Sequence, residues 1–129
     1  MPREAIVPSK FKDLYDNFHF APAVRAGDML YLSGVVASLE GEETQADQAP
    51  YERAFADIDT TLKEAGASWD DVVEMTTYHT DMMPQLGAFM PVKDKWLTAP
   101  YPAWTAIEID RLVPDRGIVE IKVTAYAPR

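Results

Sequence analysis

The stretch Ile118-Val119-Glu120-Ile121-Lys122-Val123-Thr124-Ala125-Tyr126 decides the fold. Its side chains alternate. Val119, Ile121, Val123 and Ala125 make one wholly apolar face, and Ile118, Glu120, Lys122, Thr124 and Tyr126 make the other. A period of two over β-branched residues is a strand with one face on a core. Asp115-Arg116-Gly117 supplies a turn just before it. Residues 103–109 read as the preceding strand, with Trp104, Ala106 and Glu108 on one side and Thr105 on the other. Residues 72–80, rich in Val, Thr and Tyr, form another, with Val73, Met75 and Thr77 expected on one face and Val72, Thr76 and Tyr78 on the other. Residues 29–33 add a fourth strand, and residues 5–7 and 19–24 carry weaker strand signals.

Between the strands lie two helices. Tyr51, Phe55, Ile58, Leu62 and Ala65 make one stripe at helical spacing, so a helix is expected over 50–65. Pro50 suits its first turn, and Gly66 follows as a cap able to take positive φ. A second helix is expected over 84–97, with Leu86, Phe89, Met90, Lys93 and Trp96 on one face and a kink or a shortened first part at Pro91. The polar, acidic stretch 39–48 reads as an exposed loop. Strands, helix, strand, helix, strands is the order of an α/β sandwich with a mixed sheet, because the helices permit crossovers.

Two helices cover only one face of such a sheet. The strands nevertheless carry apolar side chains on both faces. A large half-apolar face left open is an association site, so an oligomer is expected, sheet against neighbouring sheet.

The bulk properties narrow the function. A chain of 129 residues is the size of one domain, 1–129. It has no cysteine, which excludes a disulfide scaffold and a thiol nucleophile. No apolar stretch reaches the ~20 residues of a bilayer span, and the first twelve residues lack the apolar core of a signal peptide. A cytoplasmic protein without membrane contact is the expectation. Twelve Lys and Arg face twenty-one Asp and Glu, a net charge of −9 with no basic stripe, so nucleic acid is not an expected partner. His19 and His79 are the only histidines and lie on separate segments. Three or four convergent ligands are what a metal needs, so neither metal nor cofactor is expected. No Ser-His-Asp order stands out as a nucleophilic triad.

Several segments together resemble the RidA (YjgF) family. Val24-Arg25-Ala26-Gly27-Asp28-Met29-Leu30-Tyr31-Leu32-Ser33-Gly34 is similar to its first hairpin, which ends in Ser-Gly. Gly66-Ala67-Ser68-Trp69-Asp70-Asp71-Val72-Val73 resembles its helix-to-strand junction, and Thr80-Asp81-Met82 the end of its central strand. Tyr101-Pro102-Ala103 stands where the family's reactive strand begins, and Val119-Glu120-Ile121 resembles its last strand. The resemblance implies a chorismate-mutase-like fold: a single mixed β-sheet with two helices packed on one face, assembled as a homotrimer with ligand clefts between adjacent subunits. It also implies hydrolysis of reactive enamines and imines, in which an arginine clamps the substrate carboxylate and a glutamate positions water.

The chain departs from that pattern at the clamp. The arginine position is Trp104, the family tyrosine falls on Phe20, and an asparagine of the second helix falls on Lys93, whereas Glu120 matches the glutamate. Trp104 is either a stacking surface for a planar ligand or a filler of the space the arginine left. Glu120, a carboxylate between Val119 and Ile121, is either the water-positioning group or a structural partner of Lys122, Lys93 or a backbone amide. Lys93 is either a snorkelling edge residue or a replacement cation. Gly34 borders the cleft in the family, and Thr105 follows Trp104.

The expected site is therefore Glu120 as catalytic residue, with Trp104, Phe20, Gly34, Thr105 and Lys93 binding the ligand. Glu120 is expected to face the same cavity as Trp104, with a neutral or cationic planar ligand preferred over a carboxylate. Whether the chain is an enzyme stays open. One reading is a trimer that hydrolyses or deaminates an enamine- or imine-type metabolite, with the ordinary 2-imino acid activity weak or absent. Another is a trimer that binds a small molecule without turnover. Endoribonuclease activity is the least favoured.

Overall fold

The structure, a computed structural model, describes residues 2–129. Its strands are β1 (Glu4–Ile6), β2 (Ala23–Ala26), β3 (Met29–Leu32), β4 (Val35–Ser38), β5 (Val72–His79), β6 (Ala103–Glu108) and β7 (Gly117–Tyr126). The helices are α1 (Lys12–Phe18), α2 (Ala49–Glu64) and α3 (Met82–Trp96). All seven strands form one sheet in the order β1-β2-β3-β7-β5-β6, with β4 also paired to β7. Only β5 and β6 run parallel, joined by the crossover through α3; the other pairs are antiparallel. The expected mixed sheet is thus observed.

The two halves of β7 have different neighbours on one side. Its end at Thr124–Tyr126 pairs with β3, and its beginning, through Ile121, pairs with β4. Lys122 lies at the gap and donates to the Leu32 carbonyl at 2.9 Å. The alternation read from β7 holds: Val119, Ile121, Val123 and Ala125 are all buried. Against that face lie Tyr51, Phe55, Ile58 and Leu62 of α2 and Phe89 and Val92 of α3.

α2 begins one residue before the expected start, with Pro50 in its first turn. Past its end at Glu64, Gly66 with a φ of 79° lets Ala67 N–H return to the Leu62 carbonyl. The buried Arg25 guanidinium donates to the Ala65 and Ala127 carbonyls, tying this helix end to the end of β7. Arg53, on α2, holds the 39–48 loop through Glu40, Glu43 and the Ser38 carbonyl.

Three expectations needed correction. Helix α3 starts two residues earlier than read and runs unbroken through Pro91. Phe89 and Val92, fully buried on the sheet, hold that turn in place, which offsets the roughly 3 kcal/mol an internal proline costs. On β5, an irregularity between Val72 and Glu74 shifts the alternation. Val72, Met75, Thr77 and His79 face the core, and Val73 is exposed. The 19–24 strand begins only at Ala23, because α1 precedes it and ends at His19 in the left-handed conformation, φ 60°. Strand β4, Val35–Ser38, continues the hairpin past Gly34 and is an addition to the expected strands.

Candidate functional site

The β5–β6 register sets Trp104 beside Met75 and Ala106 beside Thr77, so the Trp104 indole lies on the helix-covered side. Phe89 of α3 stacks on it, ring centres 6.1 Å apart at 30°. Nε1 donates to Thr77 Oγ1 at 2.9 Å. The same hydroxyl lies 2.7 Å from His79 Nε2. With the indole N–H on one lone pair, Oγ1 keeps its proton and a second lone pair for the imidazole, so it can serve either ring tautomer. Burial pushes the His79 pKa down, while the Gln85 amide and the Glu108 carboxylate pull the other way.

Lys93 does reach this corner. Its ammonium stands 5.1 Å from the centre of the Trp104 ring and 3.0 Å from Asp94 Oδ1, with only 12% of the side chain exposed. The cation thus occupies the aromatic face in cation–π contact. Trp104 is both wedged against α3 and about one-third exposed, at 36%. It fills the space against α3 and leaves part of its surface at the sheet edge.

Glu120 lies elsewhere. The register aligns Val36, Glu120, Tyr78 and, one strand on, Ile107. These residues share the face opposite the helices. The Glu120 side chain crosses Gly34 so closely that a Cβ there would stand 2.6 Å from its Cδ. Glycine at Gly34 permits this close approach, and a side chain there would push the Glu120 carboxylate aside. Among the described residues the Glu120 carboxylate has no hydrogen-bond partner, which leaves its lone pairs to solvent or ligand. Thr105 points to the same open face, in the next row beside Thr76 and Lys122.

The expectation that Glu120 and Trp104 face one cavity is overturned within the chain. Trp104 pairs with Met75 and Glu120 with Tyr78, an odd offset of three along β5, and residues an odd number apart point to opposite faces. Trp104 and Lys93 form one cluster. Glu120 and Gly34 form a second, and Thr105 shares only their face.

Phe20 and Gly34 do come together. They line a cavity of about 200 Å³ with Phe11, Leu14, Asp57 and Thr61. Sequence reasoning missed these last four because the cavity's other wall is the unanticipated α1, and it missed the role of Thr77 because that comes from the β5–β6 register. Among the described residues no three His, Asp or Glu side chains gather as a metal set. Nor is any helix long and apolar enough to cross a membrane.

With this geometry in hand, comparison with known proteins is decisive. The family model described as endoribonuclease L-PSP matches residues 12–127. The chain belongs to the RidA/YjgF family. It is 37% identical over 129 residues to the RutC family protein YjgH of Escherichia coli K12, covering 98% of this chain and 96% of that one. A solved structure of a protein YjgH superposes with a TM-score of 0.84 at 33% identity, covering 100% of this chain and 99% of the other. RidA from the Antarctic bacterium Psychrobacter sp. PAMC 21119 gives 0.72 at 29% identity, over 83% and 87% of the two chains. As a RidA/YjgF chain it carries Trp104 and Lys93, a ring and an ammonium in contact, where the resemblance places an arginine and an asparagine.

Proposed function

We propose that this RidA/YjgF chain is a one-domain cytoplasmic protein that binds a small, neutral, planar metabolite in clefts between the subunits of a homotrimer. The observation that carries the reading is the Lys93 ammonium seated over the Trp104 ring at the exposed edge of the sheet. A cation already on that ring disfavours a cationic ligand there, and the Asp94 carboxylate beside Lys93 disfavours an anionic one. A neutral planar molecule on the remaining indole surface meets neither penalty.

The trimer is supported by what one chain leaves open. Every residue of the edge strand β6 is exposed, including Trp104 and Ile107. Such an edge, with unpaired backbone groups, is a template for association. On or beside the open face, Tyr31, Val73, Ile107 and Tyr126 are also exposed. In a cleft between chains, Trp104 and Lys93 of one subunit would supply one wall. Phe20, Gly34, Thr105 and Glu120 of a neighbour would supply the other, with Glu120 positioning water if the ligand is an enamine or imine. Binding without turnover is the second reading, favoured by the missing carboxylate clamp.

A thermal-shift screen of small planar metabolites against the wild type, Trp104→Ala and Glu120→Gln tests this. Ligands that stabilise the wild type should lose their effect in Trp104→Ala. Turnover that vanishes in Glu120→Gln while binding persists selects the enzyme; binding without turnover in the wild type selects the binding module. Stabilisation by 2-imino acids or simple carboxylates alone would contradict the proposed ligand class. Trp104→Arg alone should not restore 2-imino acid hydrolysis, because it places a guanidinium against the Lys93 ammonium; Lys93→Asn is needed with it.

A further inference from the structure

A cavity of about 200 Å³ lies within the single chain, between α1, α2 and the corner where β3 turns into β4. Leu14, Phe20, Leu32 and Val35 make most of its wall apolar, and Asp57 and Thr61 of α2 add a carboxylate and a hydroxyl. An apolar cavity of roughly 150 Å³ holds a benzene molecule. This one has room for a single ring with a small substituent. Asp57 Oδ1 takes the Lys10 ammonium at 2.8 Å. A carboxylate has about four lone-pair sites, so it can accept from a ligand as well.

Floor and roof differ in how firmly they are held. At the floor, Ser33 N–H donates to the Pro22 carbonyl at 2.9 Å, and its hydroxyl to the Ala21 carbonyl at 2.7 Å. Leu32 is buried in the core. The roof is α1 with the 3-10 turn Ser9–Phe11 before it, and neither buries a single residue. Its end at His19 sits in the left-handed region, which costs a residue with a side chain roughly 1–2 kcal/mol. The Lys10–Asp57 pair across the mouth is solvent-exposed, 62% and 29%, and such pairs contribute little. A segment with few buried contacts opens locally before the rest of the fold does.

We propose that this cavity is a binding pocket for an uncharged or cationic monocyclic ligand bearing one hydrogen-bond donor, and that α1 is its lid, latched by Lys10 to Asp57. The pocket is complete in one chain and contains neither Trp104 nor Glu120, so it does not rest on the cleft reading, although Phe20 and Gly34 serve both.

Benzylamine, benzyl alcohol and benzoate, titrated into the full-length protein and followed by amide resonances, test it. Benzylamine and benzyl alcohol should shift Leu14, Phe20, Ser33 and Thr61 saturably at millimolar concentration, with benzoate at least about tenfold weaker because Asp57 repels it. Leu14→Trp, at a partly exposed position, should fill the space and abolish these shifts. Asp57→Asn should erase the difference between benzylamine and benzoate. Lys10→Ala should speed probe exchange several-fold with the shifted residues unchanged. Absence of saturable shifts for all three probes, or binding that survives Leu14→Trp, would overturn the pocket. Exchange no faster in Lys10→Ala would overturn the lid.

Discussion

Thr77 Oγ1 is the hinge of the Trp104 corner, since one hydroxyl meets both the indole N–H and the His79 ring. Thr77→Val keeps the volume but leaves a buried imidazole nitrogen without its partner. The expected cost is about 1–3 kcal/mol, read by denaturant unfolding, together with a change in tryptophan emission as Trp104 loses its anchor. His79 itself carries a pH signature. Burial lowers its pKa below the ordinary value, so the unfolded chain binds the proton more readily than the folded one. Stability contributed by the neutral ring is complete above the unfolded pKa of about 6.5. It is lost as pH falls below that value, by at most about 1.4 kcal/mol per pH unit for one proton. Melting temperature against pH should fall more steeply below pH ~6.5 in the wild type than in His79→Gln; parallel curves would contradict this. Gly34→Ala forces the Glu120 carboxylate aside. A flexible side chain can yield, so stability should change by no more than about 1 kcal/mol, while any binding or turnover that uses Glu120 drops. Of these residues, Glu120 and Gly34 were legible as candidates from their resemblance to the family. Their contact was not, because it depends on β4 crossing beside β7.

At the scale of elements, β7 and α2 were legible because each carries an uninterrupted apolar period: two for the strand, one helical stripe for the helix. α1 was not legible because it buries nothing, and a helix that buries nothing leaves no period to read. On β5 the faces of Met75, Thr76, Thr77 and Tyr78 were legible, and only Val72 and Val73 were exchanged, because the irregularity between Val72 and Glu74 slips the alternation there. Opposite faces for Trp104 and Glu120 follow from the pairing registers on β5, which no single strand's sequence contains. The aromatic joint between α2, α3 and the sheet centres on Phe89, which meets Tyr51, Phe55, His79 and Trp104. Phe89→Ala should cost about 3–5 kcal/mol in chemical denaturation, against a change within about 0.5 kcal/mol for an exposed position of the same helix such as Met83→Ala.

For the whole molecule, we infer that one chain is an incomplete unit. Its helices cover one face of the sheet. The edge strand β6 is bare along its length, and the Trp104–Lys93 cluster and Glu120 are turned to opposite sides. Each is resolved if copies pack edge and open face together. The two-faced sheet was legible from sequence, because β7 reads half-apolar on its second side. The way its site residues divide between faces was not. The direct test is the solution mass by light scattering at micromolar concentration. The account predicts the mass of three 14.5 kDa chains; a mass of one chain would contradict it.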